Sequence, residues 1–542
     1  MKNFVTGLVL LILTGIPVKA QETDFFEISK QIELYSSVLK ELDMYYMDGI
    51  NPGELNSIAL KSMLSQLDPY TTFYDEQQVE DVNIGRAGEY SGIGASTRYQ
   101  NKKLFVMEVY EDTPSAKAGL KAGDEIIQID DVRVSSYEDK SVSSLLRGTP
   151  DTSVKLKIKR QGKSMDFDLT RSKVEMKSVP YWTMLDTDVG YIAFIKFNRD
   201  ASTEVKNAFA NLKEQGMTKL ILDLRSNPGG LLKEAIDVTN LFIPKNKVVV
   251  TTKAKVKKWS NTYKTGNEPI DLDIPIVVLI DGRTASASEI VAGSLQDYDR
   301  AVIMGDRSFG KGLVQRYRKL PYGNQMKLTI SKYYTPSGRC IQELDYAHKN
   351  DNGEIPKYSD GLVNTFKTAN GRTVTDGGGV IPDVNTNKSK TLQLTKALFN
   401  SDAFFNYVTQ FVYDHSNIDN PDVFQLNDNV YNTFLDYLKN HPEEFQTTLD
   451  RRLKSAINLS EKMNNDFSVE EEYQVFIKTI HDKKIKQLAQ NNEEIKRELS
   501  ENIVRRYYYR SGEYRHKTVF DPVIAQAKEL LKQADKYNNI LK

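Results

Sequence analysis

A single cysteine, Cys340, stands in 542 residues, so no intramolecular disulfide can form and the fold must rest on packing alone. Histidine is nearly as scarce. The five, His348, His415, His441, His481 and His516, all fall after residue 343, outside the stretch that carries the candidate catalytic residues, so a histidine-activated nucleophile there needs one of them to reach back. No H-E-x-x-H, no Cys/His cluster and no carboxylate set has metal-site spacing, so neither a metal nor a cofactor is expected. An excess of charge is missing too. Lys plus Arg and Asp plus Glu are both 73, for a formal net charge of zero, and no global field draws the chain to nucleic acid. Long apolar runs are absent beyond the first twenty residues.

What is present begins with that one run. MKNFVTGLVLLILTGIPVKAQ has a basic start at Lys2, an apolar stretch from Phe4 to Val18 and V-K-A before Gln21. This is a secretory signal pattern with cleavage expected after Ala20. The stretch is shorter than the roughly 20 residues a spanning helix needs; retention as an anchor, giving peripheral membrane association, is the alternative. The mature chain is expected to be exported, periplasmic or bound to the cell envelope. Hydrophobic content of 39% with 10% aromatics fits a globular protein, and the length exceeds a single core.

The most informative stretch runs from Ile274 to Gln315. The run VVLI within Pro275 to Ile280 predicts a strand covered on both faces, followed by a turn over Asp281 to Ala285. A helix is predicted from Ser286 or Ala287 to about Gln296, then a strand from Ala301 to Met304, then the Gly310-Lys311-Gly312 segment. A serine at a strand-to-helix turn is held at the end of a rigid element, beside unpaired helix amides that face whatever it attacks. The same Ser286-Ala-Ser288-Glu289 is also a capping box that needs no catalysis.

TASASEI, GSLQD and SFGKGLVQ together strongly resemble the catalytic segment of the carboxyl-terminal processing peptidases, also called tail-specific proteases. The resemblance implies Ser286 as nucleophile, Lys311 as general base and Gln315 as a helper one helical turn later; its usual interval selects Ser286 over Ser288. Strand Leu220 to Leu224 runs into Asn227-Pro228-Gly229-Gly230, similar to the family string in which a glycine amide supplies one oxyanion donor and the residue after the nucleophile, here Ala287, the other. Gly229 and Gly230 both remain candidates. The fold it implies is α/β, a crotonase-like protease core holding strands 189–197, 220–224, 275–280 and 301–304. Lysine keeps its proton to about pH 10.4, so Lys311 can act as base only if burial lowers its pKa; the flanking glycines allow close packing around it.

Around that core the chain divides as residues 1–20, 24–80, 88–173, 174–388 and 389–542. The 24–80 segment is patterned as helix and broken at Leu67-Asp68-Pro69. It reads as structural or as a dimerisation arm, which makes a homodimer one expected partner state. Where the family continues His-Ser after L-D-P, this chain has Tyr70-Thr71, a departure expected to be without consequence for the chemistry. Residues 88–173 resemble a PDZ domain of the permuted bacterial type, carried by G-I-G, P-S-A-x-x-A-G-L-x-x-G-D and L-R-G-T. The Gly92-Ile93-Gly94-Ala95 loop is thereby implied to receive a substrate's terminal carboxylate, with the peptide adding as a strand. Arg147 in Leu145-Leu146-Arg147-Gly148 is either a helix-end cation or a link between peptide capture and the catalytic groups. Asp151 stands where the family often has glycine. Lys233 and Glu234 read as a solvated helix face. Residues 343–376, rich in Asn, Gly, Asp and Lys, interrupt the approach to Gly379-Val380-Ile381-Pro382-Asp383 and read as an exposed loop or hairpin. The 389–542 region is helical, with Arg505 to Arg510 as arginines among packed tyrosines rather than a nucleic-acid surface.

The resulting expectation is an exported serine endopeptidase acting on proteins with free, apolar C-termini. Its rivals are a non-catalytic PDZ/crotonase-like scaffold of the cell envelope and an acyl-coenzyme-A enzyme. Retention of Ser286, Lys311 and Gln315 together speaks against the scaffold, and the export signal and PDZ unit against the acyl-coenzyme-A enzyme.

Overall fold

The computed structural model describes residues 25–137, 140–348, 350, 354–361, 363–386, 393–462, 469–490 and 492–542. The export segment lies outside them. Two compact units are present, one ending at Gln66 and one beginning at Leu67. The first holds the helices Phe25–Tyr45 and Pro52–Ser65. Asn51 caps the second by accepting from the Glu54 amide, and Tyr35 donates to Asn56 across the pair. Phe25, Phe26 and Met47 are exposed.

The second unit is built on a six-stranded sheet. From one edge its strands are Tyr181–Met184, Val189–Ala193, Lys219–Asp223, Ile276–Ile280, Val302–Gly305 and Val384–Asn385. All pairs beyond the first antiparallel one are parallel. Parallel strands need crossovers, and here the crossover helices bury one sheet face while later helices bury the other, which is why these strands read as unbroken apolar runs. Helices Ala201–Glu214, Leu232–Asn240 and Ala287–Asp297 pack one face with Leu220, Leu222, Val278 and Ile280. The opposite face, with Tyr191, Ile221, Val277 and Leu279, is covered by Ile524, Leu530, Leu531 and Tyr537 from the last helices of the chain.

Several expectations shift against these elements. The first core strand stops at Ala193 rather than Phe197, because Phe194 and Phe197 turn inward to pack on each other, 4.3 Å between centroids. The 24–80 stretch is not helical throughout. Thr72–Tyr74 is a strand pairing antiparallel with Gln325–Lys327, and a helix over Glu76–Ala87 follows. Glu234 is not solvated: it is 5% exposed and accepts from the Ser202 amide and hydroxyl. Within 343–376 the hairpin of Thr365–Lys367 and Thr373–Thr375 is tied to the core, since Arg372 pairs with Asp299 and Asp383 at 2.6 Å each.

Residues 89–175 form a small β unit with its own core of Ile93, Leu104, Ile126, Val142, Leu156 and Ile158. Val134–Ser136 and Lys140–Leu146 form short 3₁₀ turns within it. The helical region from Gln393 packs around Phe404, Tyr407, Phe434, Leu488 and Leu499.

Candidate active site

Ser286 lies between strand Ile276–Ile280 and helix Ala287–Asp297, at φ 59° and ψ −113°. That left-handed φ is costly for a residue with a Cβ and persists only where the surroundings impose it. Here they do. The Ser286 N–H donates to Glu289 Oε2 at 2.8 Å, and Thr284 is held by Asp281 and by its hydroxyl bond to Leu224 O.

Gly229 sits against this turn. A Cβ there would lie 2.6 Å from Ala285 O, 2.7 Å from Ala287 N and 2.9 Å from Ser286 Cβ, so only glycine permits the approach. Its amide is already taken, donating to Asn227 Oδ1 at 2.9 Å. Gly230 differs. Its neighbours carry the bonds to Phe197, with Phe197 N–H donating to Gly229 O and Leu231 N–H to Phe197 O, and Gly230 itself is exposed. The exposed Gly230 amide is thus a donor candidate, as is that of Ala287, which opens the helix and has no intrahelical acceptor.

Lys311 is largely buried, and that burial, followed by the nearby Lys327 ammonium, pulls its amine down to about 8; Glu289 and Asp68 oppose the shift. Gly312 makes the burial feasible, since a Cβ there would meet Gln342 Cβ at 2.4 Å. The Lys311 ammonium stands 4.9 Å from the centre of the Tyr70 ring, so Tyr70, from the turn that departs from the family's His-Ser, borders Lys311. Gln315 is on a strand, Leu313–Lys319, not a helical turn, and its amide donates to Thr329 Oγ1 at 3.2 Å rather than to the lysine.

The residue that sequence reasoning left as a mere cap is Glu289. Its carboxylate, 0% exposed, accepts from Ser308 Oγ (2.6 Å), Gly310 N (2.6 Å), Lys311 N (3.1 Å), Ser286 N (2.8 Å) and Tyr333 Oη (3.3 Å). Burial raises its pKa, while the donated bonds work against the rise. One buried carboxylate thus fastens the serine turn to the lysine loop. The S-x-x-E spacing was the only sequence signal of it, and its lysine-side partners are invisible without the fold. Val380, from the late G-V-I-P-D string, donates to Ser308 Oγ at 2.7 Å and completes the shell.

The five histidines are bonded within 343–376 or the helical tail: His348 to Asp345, and the other four to carbonyls of Phe411, Tyr437, Leu438 and Phe424. None bonds to Ser286. Among the described residues no group of His, Cys, Asp or Glu is placed to hold a metal ion.

In the β unit, Gly92 and Arg147 pair through their backbones, and Gly94 packs on Thr113 with φ +81°. A cavity of about 190 Å³ opens beside them, lined by Tyr90, Ile93, Ala95, Tyr110, Leu146 and Arg147 among others. The Tyr90 phenol, pushed up by burial, faces the Gly94 and Ala95 amides. The Arg147 side chain is 17% exposed and pairs with Asp81 and Glu80 of the Glu76–Ala87 helix, so the free helix-end reading does not hold.

A serine at a strained turn, a buried lysine of lowered basicity and available amides describe a serine-type hydrolase. Comparison with known proteins specifies it further. Residues 188–347 match the model of Peptidase family S41, residues 91–170 that of the PDZ domain, and residues 394–531 that described as "Probable PDZ-protease, C-terminal helical domain". A carboxy-terminal-processing protease of Bartonella bacilliformis is 35% identical over 323 residues, 58% of this chain and 73% of that protein. A probable CtpA-like serine protease of Staphylococcus aureus is 34% identical over 308 residues, 56% of this chain and 61% of its own length. Among solved structures, a photosystem II D1 C-terminal processing protease is 29% identical with a TM-score of 0.35, over 58% of this chain and 90% of that one. The chain belongs to the carboxy-terminal-processing proteases of peptidase family S41, and is a serine-type peptidase with a PDZ domain and a C-terminal helical domain.

Proposed function

We propose that this protein is an exported endopeptidase that captures the free C-terminus of protein substrates at its PDZ domain and cleaves them by a Ser286–Lys311 dyad. The observation that carries the reading is Lys311, half-buried, brought down to about 8 and tethered with Ser286 to one carboxylate. Ser286 Oγ attacks the scissile carbonyl as Lys311 Nζ takes its proton. The amides of Gly230 and Ala287 hold the oxyanion, where preorganised donors contribute most. Lys311 returns the proton to the leaving amine as the peptide C–N bond breaks; its neutral amine then takes a proton from the water that attacks the acyl-enzyme and passes it to Ser286 Oγ as the ester bond breaks. Gly229 shapes the oxyanion site without donating to it.

Tail capture is supported by the cavity beside Gly92 to Ala95, where a carboxylate would take the Gly94 and Ala95 amides from the Tyr90 phenol and Ile93 and Leu146 suit an apolar last side chain. Export is supported by the N-terminal pattern; among the described residues no helix is long and apolar enough to cross a membrane. Ser286→Ala and Lys311→Ala should each abolish cleavage of an unstructured protein with an apolar tail, and the double variant should be no worse than either, because the pair acts as a unit. C-terminal amidation of the substrate should weaken its binding. Turnover by Lys311→Ala would falsify the dyad; equal cleavage of free and amidated tails removes the PDZ domain from substrate choice.

A further inference from the structure

The Asp68–Thr71 turn lies outside the segment matching the peptidase family, 188–347, yet brings Tyr70 against Lys311. Asp68 organises the turn, accepting from the Tyr70 and Thr71 amides at 2.8 Å each and from the Thr71 hydroxyl at 2.9 Å. It also accepts from Thr329 Oγ1 at 3.1 Å, the same oxygen to which Gln315 donates at 3.2 Å. The Thr329 amide donates back to Thr71 Oγ1 at 3.1 Å, so the turn and the strand Gln325–Tyr334 are locked reciprocally. Tyr70 then lays its ring 4.9 Å from Lys311 Nζ. Tyr346 backs Tyr70 edge-on, centroids 6.0 Å apart, and donates to its hydroxyl at 3.4 Å.

We propose that this turn is part of the base site. Tyr70 covers the Lys311 amine, and Asp68, acting through Thr329, fixes the Gln315 amide, which makes Asp68, Tyr70 and Thr329 positioning residues for proton transfer. The inference rests on the assignment of Lys311 as the base. The charged or titratable groups facing that amine are Tyr70 and Asp68 from the turn, Glu289 from the helix and Lys327 from the strand. Of these, only the Tyr70 ring combines an apolar cover with attraction for the cation. Removing the ring admits water to an amine now held down chiefly by burial, and the gain in hydration outweighs one lost ring contact.

The test is the pH dependence of kcat and KM for a tailed substrate, measured on the full chain. Tyr70→Ala should lower kcat about tenfold with KM held, and move the acid limb of the kcat/KM profile up by about one pH unit; Tyr70→Phe should recover most of both. Thr329→Val, a near-isosteric change inside a strand, should lower kcat several-fold, with Thr329→Ser recovering it, and should add nothing to Gln315→Ala. A purely structural turn moves neither the limb nor the coupling. An inactive Lys311→Ala together with an unmoved acid limb in Tyr70→Ala, or additive losses for Thr329→Val and Gln315→Ala, overturns this inference alone. An active Lys311→Ala overturns it together with the dyad. The Thr329 arm decides the matter even where Tyr70→Ala does not fold.

Discussion

At Lys311, under the proposed dyad, the cost of burying a cation is the source of the chemistry. There only the neutral amine could take the Ser286 proton, so activity should rise with pH through about 8. A kcat/KM profile measured from pH 6 to 10 checks this, and a limb near 6.5 would point to a histidine instead. Stability follows the same linkage. Between about 8 and the ordinary 10.5 the unfolded chain binds the proton that the folded one refuses, so stability rises with pH there, and below that window the full cost persists. Lys311→Met should therefore be inactive yet melt higher at pH 7, by no more than about 3 kcal/mol. Glu289→Gln should do the reverse. It replaces half of a carboxylate that accepts from five groups with a donor facing donors, at a cost of about 2–4 kcal/mol in stability. Because Ser286 and Lys311 lose their common tether, kcat should fall at least a hundredfold. Thermal melts beside turnover at saturating substrate separate the two effects.

Among the elements, the helix Glu76–Ala87 has the clearest bearing on substrate choice. It presents Asp81 and Glu80 to Arg147, which itself borders the peptide cavity. The carboxylates are mostly exposed, so the pair adds little to stability, but it sets where the guanidinium rests. Arg147→Ala and Asp81→Asn should each lower turnover of a tailed substrate severalfold while barely altering the melting temperature. A double-mutant cycle should show them coupled. Parent-rate turnover by Arg147→Ala would leave the pair as surface decoration. The same helix opens with a capping box in which Asp75 and Gln78 exchange bonds with each other's backbone, so the acidic residues are displayed from a firm N-terminus.

For the whole molecule, the surprise is how the tail is used. The last helices, Pro522–Lys532 and Ala534–Ile540, cover an entire face of the catalytic sheet. Tyr537 bonds both the N–H and C=O of Ile276, at 2.9 and 3.0 Å, and Asp521 pairs with Arg225, which also clasps Asp223 at the end of a core strand. Further back, Arg510 grips Glu108 of the PDZ domain through two bonds, 2.6 and 2.8 Å. One helical region therefore touches both the peptide-binding and the catalytic parts. Deleting residues 522–542 uncovers Tyr191, Ile221, Val277 and Leu279, each worth about 1.5–3 kcal/mol when fully buried. The truncated chain should be insoluble or melt at least 10 °C lower, as read by calorimetry; an unchanged melt would make the tail an accessory. Tyr537→Phe, losing only the two hydroxyl bonds, should cost about 1–2 kcal/mol.

Local signals determined much of this protein. Apolar runs marked the parallel strands because burial on both faces removes alternation, and glycines marked Gly229 and Gly312 because backbone approaches there exclude a Cβ. Ser286 and Lys311 stood out because their neighbours form short contiguous strings that resemble the family's. The tertiary structure alone decided which long-range partners meet. Glu289 looked like a cap because its spacing to Ser286 is local, whereas its bonds to Ser308, Gly310 and Lys311 cross a strand and a loop. Gln315, four positions after Lys311, fitted a helical turn by spacing, but strand pairing with Thr329 governs its conformation. Tyr70 carried no periodic signal, since an isolated aromatic in a turn acquires its meaning only from the cation folded against it. The second face of the sheet escaped for the same reason. An amphipathic helix announces that it will bury a face, and the chain's path in space chooses which surface receives it.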